Sequence, residues 1–232
     1  MAFRRGGRPR PGGAPEAEPS RLVAGFVTEI AAQQRPGSDR ENVFIDGVYA
    51  FSLAVEVAAT LRVGQVLSEQ DCGELLARDE YHRALASALN FLSYRPRSER
   101  EIRDRLGRHD FAAPTLTAVL ERLRELRLVD DEAFAEYWIG QRQAHAPRGS
   151  LLLKQELFRK GVASETTAAA IDSAELDDDT AYQAGAKRAR QLRAAEQRDF
   201  TQRMSAYLAR RGFGWDVVSP AVKRLWLDRE TL

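Results

Sequence analysis

The side chains that could support covalent or metal chemistry are few and lie far apart in this sequence. Cys72 is the only cysteine, and the three histidines are His82, His109 and His145. A lone cysteine excludes an internal disulfide, and with scattered histidines it supplies too few ligands for a structural zinc site. No glycine-rich phosphate loop of the Walker type occurs. The sequence therefore predicts no catalytic residue, no metal site and no cofactor, and the single cysteine fits a reducing, cytoplasmic compartment.

Basic side chains are the one group whose clustering could serve a function. The whole chain is nearly neutral, with a formal net charge of +1, although 30% of its residues are charged. Between Lys187 and Arg211, however, eight basic residues accompany only two acidic ones. Such a segment could follow the phosphates of a nucleic acid. It could equally be a solvated helix face whose charge Asp177, Asp178 and Asp179 balance, and the sequence leaves both alternatives open because the helix orientation is unknown.

The basic residues belong to helices that recur along the chain. Ser98 precedes Glu101 by three positions, which is the spacing of a helix-capping box, and Ile102 and Leu106 share one face of the helix that follows. Shifts of 51 residues align five columns that are almost entirely apolar and two columns that are basic. The first five are Ile102, Leu153 and Met204; Leu106, Leu157 and Leu208; Phe111, Val162 and Phe213; Leu116, Thr167 and Val218; and Leu120, Ile171 and Val222. The basic columns are Arg108, Arg159 and Arg210, and His109, Lys160 and Arg211. This constant shift indicates an internal repeat whose apolar columns form the core.

The first quarter of the chain has a different character. Residues 1–20 are rich in arginine, proline and glycine and predict a disordered basic tail, which could touch an acidic partner such as DNA or have no specific role. In residues 21–67, Asp46 and Gly47 separate two β-rich runs. An Asp-Gly pair favours the type I′ turn of a hairpin, so this segment predicts a small β domain of three or more strands.

The remainder of the chain reads as helical. Ser68, with Asp71 three residues later, could cap a helix over Glu69–Arg78, and a second helix is expected at about Tyr81–Ser93. The predicted fold class is mainly α: three tandem three-helix repeats forming an elongated curved module, preceded by a small N-terminal β-hairpin or sheet domain and a disordered tail. The predicted boundaries are residues 1–20 for the tail, 21–67 for the β domain, 68–80 for a connecting helix, and 81–128, 131–176 and 179–228 for the three repeats.

Tandem helical units without a chemical site typically present a curved surface to an extended partner, such as a filament or a nucleic acid. Trp138, Trp215 and Trp226 occupy predicted core positions, and stacking of bases on them is the less favoured alternative. No apolar run reaches the length of a membrane-spanning helix, so no transmembrane segment is expected.

Several motifs resemble the RecX family, the bacterial regulators of the RecA recombinase. The run Ala88–Leu106, which contains Asn-Phe-Leu-Ser-Tyr-Arg-Pro-Arg-Ser-Glu-Arg-Glu-Ile-Arg, resembles the family signature. Leu128–Ala135 and Lys154–Val162 are similar to its second and third motifs, and Asn42–Phe51 looks like the β-hairpin extension of a subset of the family. Asp110 stands where the family pattern has a glycine at the end of a helix.

The resemblance implies a regulator that binds RecA and its filament on single-stranded DNA, limits filament extension and mostly inhibits recombinase activity in DNA repair and recombination. It implies no enzymatic activity, no small-molecule substrate and no membrane contact. The alternative is a helical-repeat module that binds DNA directly, without dependence on RecA. From charge placement, the candidate contacts with filament or DNA are Arg95, Arg97, Arg100, Arg103, Lys154, Arg159, Lys160, Arg203, Arg210 and Arg211.

Overall fold

A computed structural model describes residues 23–34, 37–174, 176 and 178–231 of the chain, and the predicted tail at residues 1–20 lies outside them. The described residues form four strands and ten helices, which divide into two compact units with the boundary between Arg83 and Ala84. The elements are β1 (Gly25–Ala32), β2 (Arg40–Ile45), β3 (Val48–Ala54), α1 (Val55–Ala58), β4 (Val66–Leu67), α2 (Glu69–Leu92), α3 (Glu99–Gly107), α4 (Ala113–Glu125), α5 (Asp131–His145), α6 (Ser150–Arg159), α7 (Ser164–Ser173), α8 (Asp178–Gln191), α9 (Gln197–Arg210) and α10 (Trp215–Asp228).

The first unit contains the predicted small sheet. Its four strands are antiparallel in the order β3-β2-β1-β4. Asp46 and Gly47 join β2 to β3, and both have positive φ, 51° and 80°. A two-residue hairpin loop with positive φ at both positions matches the right-handed twist of its strands. The predicted Asp-Gly hairpin is therefore confirmed, and the sheet buries Val43, Phe51 and Leu53 on its core face.

The long helix α2 corrects the expectation of two separate helices. Ser68 and Asp71 cap its start reciprocally: the Asp71 N–H donates to Ser68 Oγ at 3.1 Å, and the Ser68 N–H donates to Asp71 Oδ2 at 2.8 Å. The helix then continues without a break through the charged run around Asp79. The Asp79 carboxylate is buried and accepts hydrogen bonds from the Arg40 guanidinium and the Ala54 N–H. These partners, which are distant in sequence, stabilise the helix at the point where the local sequence predicted that the first of two helices would end.

The second unit consists of the helical repeats. Repeat 1 comprises the second half of α2 with α3 and α4, repeat 2 comprises α5–α7, and repeat 3 comprises α8–α10. The two principal apolar columns of the 51-residue period are fully buried in all three repeats: Ile102, Leu153, Met204, Leu106, Leu157 and Leu208. One cluster of buried side chains joins α5, α6 and α7, and another joins α8, α9 and α10. The periodic apolar residues therefore fill the core of the repeats, as predicted.

Asp110 ends α3 in the left-handed conformation that its glycine counterparts adopt. Its φ is 54°, while Gly161 and Gly212, one and two periods later, have φ of 82° and 86°. A left-handed φ crowds the Cβ atom of an L-residue, and aspartate accepts this conformation more readily than most residues but less readily than glycine. Asp110 therefore has the same backbone conformation as the two glycines, but the folded protein is less stable than it would be with glycine at this position.

Asp110→Gly is expected to raise the free energy of unfolding by about 0.5–1 kcal/mol, because glycine removes the steric penalty of the left-handed φ. Urea denaturation of the two proteins measures the difference. The same change at Asp104, inside α3, should lower stability, because glycine weakens a helix interior. A fall in stability for Asp110→Gly would contradict this account of the helix end.

Candidate interaction surface on the helical repeats

The middle helices of the three repeats follow one another end to end. Ser98 caps the start of α3, and its hydroxyl donates a hydrogen bond to the carbonyl oxygen of Lys160, at the end of α6, at 2.6 Å. One period later, the Gly149 N–H at the start of α6 donates to the carbonyl oxygen of Arg211, at the end of α9, at 2.9 Å. The last carbonyls of a helix lack intrahelical donors. At each junction, the start of one middle helix supplies such a donor to the end of the middle helix in the following repeat.

The first junction also contains a network of paired charges. The Glu101 carboxylate accepts hydrogen bonds from Arg95 at 2.9 Å and from the Lys160 ammonium at 2.5 Å. Lys160 and Arg142 lie over the ring of Trp138, 4.7 and 4.3 Å from its centroid. Burial alone would raise the pKa of the Glu101 carboxyl, but the bonds from Arg95 and Lys160 outweigh burial and hold that pKa below its usual range. Glu101 therefore acts as a charged link between repeats 1 and 2.

Glu101→Gln is expected to lower the free energy of unfolding by about 2 kcal/mol at pH 7, because it leaves Arg95 and Lys160 without their shared counter-charge. The pKa of this carboxyl is depressed in the folded protein, so its stabilisation is present above the unfolded pKa and is lost as the pH falls through the folded pKa. The free energies of unfolding of wild type and variant should therefore converge as the pH falls through the lowered folded pKa of Glu101. Glu121→Gln, at an exposed position of α4, is the control and should change little at either pH.

The second junction is closed by backbone contact. The Leu151 N–H donates to the Gly212 carbonyl oxygen at 3.1 Å, beside the bond from Gly149 to Arg211. A Cβ atom at Gly149 would lie 2.3 Å from the carbonyl carbon and oxygen of Gly212, so only glycine allows this approach. The Arg211 guanidinium donates to the Pro147 carbonyl oxygen at 3.2 Å. Close backbone packing thus replaces the charge network of the first junction.

Several predicted contact residues are engaged within the protein. Arg95 and Lys160 bind Glu101, as described above. Arg103 pairs with Glu99 at 2.9 Å and Arg203 with Asp199 at 2.8 Å, both one helical turn away. The two remaining side chains of this group, Arg97 and Arg211, lie over the rings of Phe91 and Tyr207 at 3.8 and 4.9 Å from the centroids. These cations already have partners, so a further ligand would have to share them.

Four other cations are exposed, and only one of them has a charged partner. Lys154, Arg159 and Arg210 make no hydrogen bond, ion pair or ring contact within the described part of the chain, and Arg100 is 3.8 Å from Asp104. Arg108, which the list of candidates omitted, is equally exposed and unpaired there. Arg108, Arg159 and Arg210 occupy the same position in successive repeats, directly after or at the end of each middle helix. We call these three residues the arginine column.

Two exposed apolar side chains that the sequence did not reveal share a helix face with Lys154. Leu151 and Phe158 of α6 are 57% and 71% exposed. With Lys154 they follow the spacing i, i+3 and i+7, which sets all three on one face of the helix. We call Leu151, Lys154 and Phe158 the α6 outer face. The 51-residue shift aligns Phe158 with Gly107 and Ala209, which are also exposed, but small residues occur in cores as often as on surfaces, so the sequence alone contains no clear signal.

Trp215 is a correction to the predicted core. It is 69% exposed at the start of α10, whereas Trp138 and Trp226 pack against the clusters of repeats 2 and 3. The 51-residue shift aligns Trp215 with Ser164 and Ala113, which begin α7 and α4. The first residue of a third helix is thus a surface position, and the apolar character of tryptophan alone suggested otherwise.

The described residues contain no group of three or more His, Cys, Asp or Glu side chains arranged to hold a metal ion. Cys72 is buried, and burial raises the pKa of its thiol. Among the helices in the part of the chain that the structure describes, none is long and apolar enough to cross a membrane.

Comparison with known proteins assigns the helical repeats to one family. Models of the first, second and third three-helix domains of RecX match residues 84–123, 130–171 and 175–222. The regulatory protein RecX of Bacillus subtilis is 30% identical over 209 residues, which cover 88% of this chain and 79% of that protein. Its counterpart in Bacillus licheniformis is 31% identical over 204 residues, covering 85% of this chain and 76% of that protein.

A solved structure agrees with this similarity along most of the chain. The crystal structure of a regulatory protein RecX aligns with a TM-score of 0.67 at 27% identity, covering 87% of this chain and 100% of that chain. The three domain matches fall in order on the three helical repeats and together span more than half of the sequence. The chain therefore belongs to the RecX family of regulatory proteins.

Proposed function

We propose that this chain regulates the RecA recombinase by binding RecA and its nucleoprotein filament on single-stranded DNA, and that it thereby limits filament extension in the control of DNA repair and recombination. The observations that support this proposal are the exposed α6 outer face and the unpaired arginine column, which recurs once in each repeat. Exposed apolar anchors surrounded by cations are typical of protein interfaces, where aromatic and arginine side chains contribute most of the binding energy.

The repeated position of the arginine column suits a polymeric partner. A filament presents the same surface at regular intervals, and Arg108, Arg159 and Arg210 are presented once in each repeat. Each exposed cation alone contributes little, because solvent screens it. Several modest contacts made at once give an effective concentration that greatly strengthens the whole interaction. Affinity would therefore depend on the assembled filament more than on a single RecA subunit.

Binding of this kind changes assembly only if it distinguishes between states of RecA. A regulator that binds a filament end, or a distorted groove, more tightly than the extending filament shifts the equilibrium away from growth. No covalent step is needed, and we assign this chain no catalytic residue and no cofactor of its own. A cytoplasmic location, where RecA and DNA meet, is part of the proposal.

The test is the ATPase activity of RecA on single-stranded DNA, measured with this protein added at substoichiometric amounts. We expect inhibition at less than one molecule per RecA subunit, together with shorter filaments in electron micrographs. Unchanged ATPase activity and unchanged filament length would contradict the proposal. A titration at roughly 0.05 to 0.2 M salt separates the alternatives, because direct binding to bare DNA would weaken steeply over that range, whereas the apolar part of a filament contact would persist.

A further inference from the structure

We propose that repeat 3 contains a binding site for an unpaired nucleotide of a single-stranded nucleic acid, with the indole of Trp215 as a stacking platform and Arg198 as the cation for the adjoining phosphate. This site acts without RecA, so it goes beyond the function proposed above.

The environment of Trp215 differs from that of the other tryptophans. The Trp138 indole N–H donates to Glu156 at 2.8 Å, and Trp226 contacts the Phe200 ring at a centroid distance of 5.2 Å. Trp215 is 69% exposed, and within the described residues its indole has no hydrogen-bond, ring or cation contact. A large flat ring left open to water costs free energy unless a ligand covers it. Trp215 therefore has a free ring face and a free N–H donor.

A shallow groove beside Trp215 is lined on its other side by polar side chains of α9. Arg198, Thr201, Gln202 and Ser205 line it together with Trp215. These four residues follow the spacing i, i+3, i+4 and i+7 along α9 and so share one face of that helix. Their side chains offer a guanidinium, two hydroxyls and an amide, which can donate and accept hydrogen bonds at the edge of a base. A groove with one aromatic wall and one hydrogen-bonding wall matches the two surfaces of a nucleobase.

The charge of repeat 3 favours a phosphate-bearing ligand. Glu196 also lines the groove, but the described part of the repeat, residues 178–231, carries eleven basic and only seven acidic side chains. Some of its cations are exposed and make no contact within the described chain: Lys187, Arg190, Arg193, Arg198 and Arg210. Unpaired cations on one repeat can neutralise several phosphates of a flexible strand.

A protein partner is the competing occupant, and the lining argues against it. The α6 outer face groups two exposed apolar side chains, Leu151 and Phe158, as the core of a protein interface does. Around Trp215 the neighbours on α9 are polar or charged. Stacking needs an unstacked base, so a duplex should not use this site.

The experiment measures fluorescence anisotropy of labelled oligonucleotides of about 20 nucleotides, with full-length protein and no RecA. Trp215→Ala should weaken binding of oligo(dT) about tenfold, and Trp215→Phe, which keeps a stacking ring, should retain most of the affinity. Arg198→Gln should make the slope of log K against log salt shallower by about 0.7, the value for one phosphate contact on a single strand, whereas Trp215→Ala should leave the slope unchanged.

Leu227→Ala is the matched control, because Leu227 is also exposed on α10, at 75%, and does not line the groove. Parallel titrations with oligo(dT) and oligo(rU) show whether the site prefers DNA or RNA. A duplex of equal length should bind wild type and Trp215→Ala with the same affinity. Equal oligonucleotide affinity of wild type and Trp215→Ala would overturn the proposal. So would loss of RecA-filament binding by Trp215→Ala with DNA binding intact, since that result identifies a protein contact. Neither outcome bears on whether the wild-type protein inhibits RecA.

Discussion

Gly149→Ala is expected to lower the free energy of unfolding by about 3 kcal/mol, a large effect for the addition of one methyl group. Gly149 has φ −79° and ψ 167°, a conformation that alanine adopts freely. The penalty is therefore steric: the new Cβ atom would lie 2.3 Å from the Gly212 backbone. A Cβ atom has a fixed direction, so no side-chain rotation relieves the contact. The start of α6 must move away from the end of α9.

That movement breaks the hydrogen bonds that Gly149 and Leu151 donate to Arg211 and Gly212. Hydrogen exchange of these two amides should therefore accelerate in Gly149→Ala, in addition to the shift in the urea midpoint. Gly140→Ala is the matched control, since a Cβ atom at Gly140 in α5 meets nothing within 4 Å. It should raise stability by about 0.5–1 kcal/mol through helix propensity. Equal effects of the two substitutions would contradict the close approach at the second junction.

The 51-residue period predicted most of the repeat architecture. A buried column such as Ile102, Leu153 and Met204 can be recognised from sequence because burial restricts each position to apolar residues in every repeat. The left-handed end of α3 could also be foreseen, since Asp110 aligns with two glycines. Local spacing and periodicity carry this information, and both are visible without a structure.

The pairing of charges could not be foreseen in the same way. Arg95 and Lys160 converge on Glu101 although Lys160 is 59 residues away in sequence, and nothing local indicates that meeting. Arg103, Arg203, Arg159 and Arg210 were equal candidates from charge placement, whereas ion pairs engage Arg103 and Arg203 and leave Arg159 and Arg210 unpaired within the described residues. The continuous α2 helix was missed for the same reason. Contacts formed by folding decide which charges remain available to a partner.

Leu151→Ala combined with Phe158→Ala is expected to weaken binding to the RecA filament about 100-fold, because two exposed anchors at an interface each contribute on the order of 1–2 kcal/mol. The substitutions should leave the free energy of unfolding almost unchanged, since both side chains lie mostly in water. Filament binding is measured by co-sedimentation with RecA on single-stranded DNA, and inhibition of the RecA ATPase should fall in parallel.

The controls separate the two kinds of contact on this surface. Leu227→Ala removes a leucine that is more exposed than Leu151 and lies outside the α6 outer face, and it should leave filament binding intact. Replacing Arg108, Arg159 and Arg210 together by glutamine should weaken binding at low salt and have less effect at high salt, because screening already removes much of their contribution. The loss caused by Leu151→Ala with Phe158→Ala should persist at high salt, since apolar burial is not screened. If that double variant bound the filament as tightly as wild type, the α6 outer face would not be the contact, and the partner surface would have to lie elsewhere on the repeats.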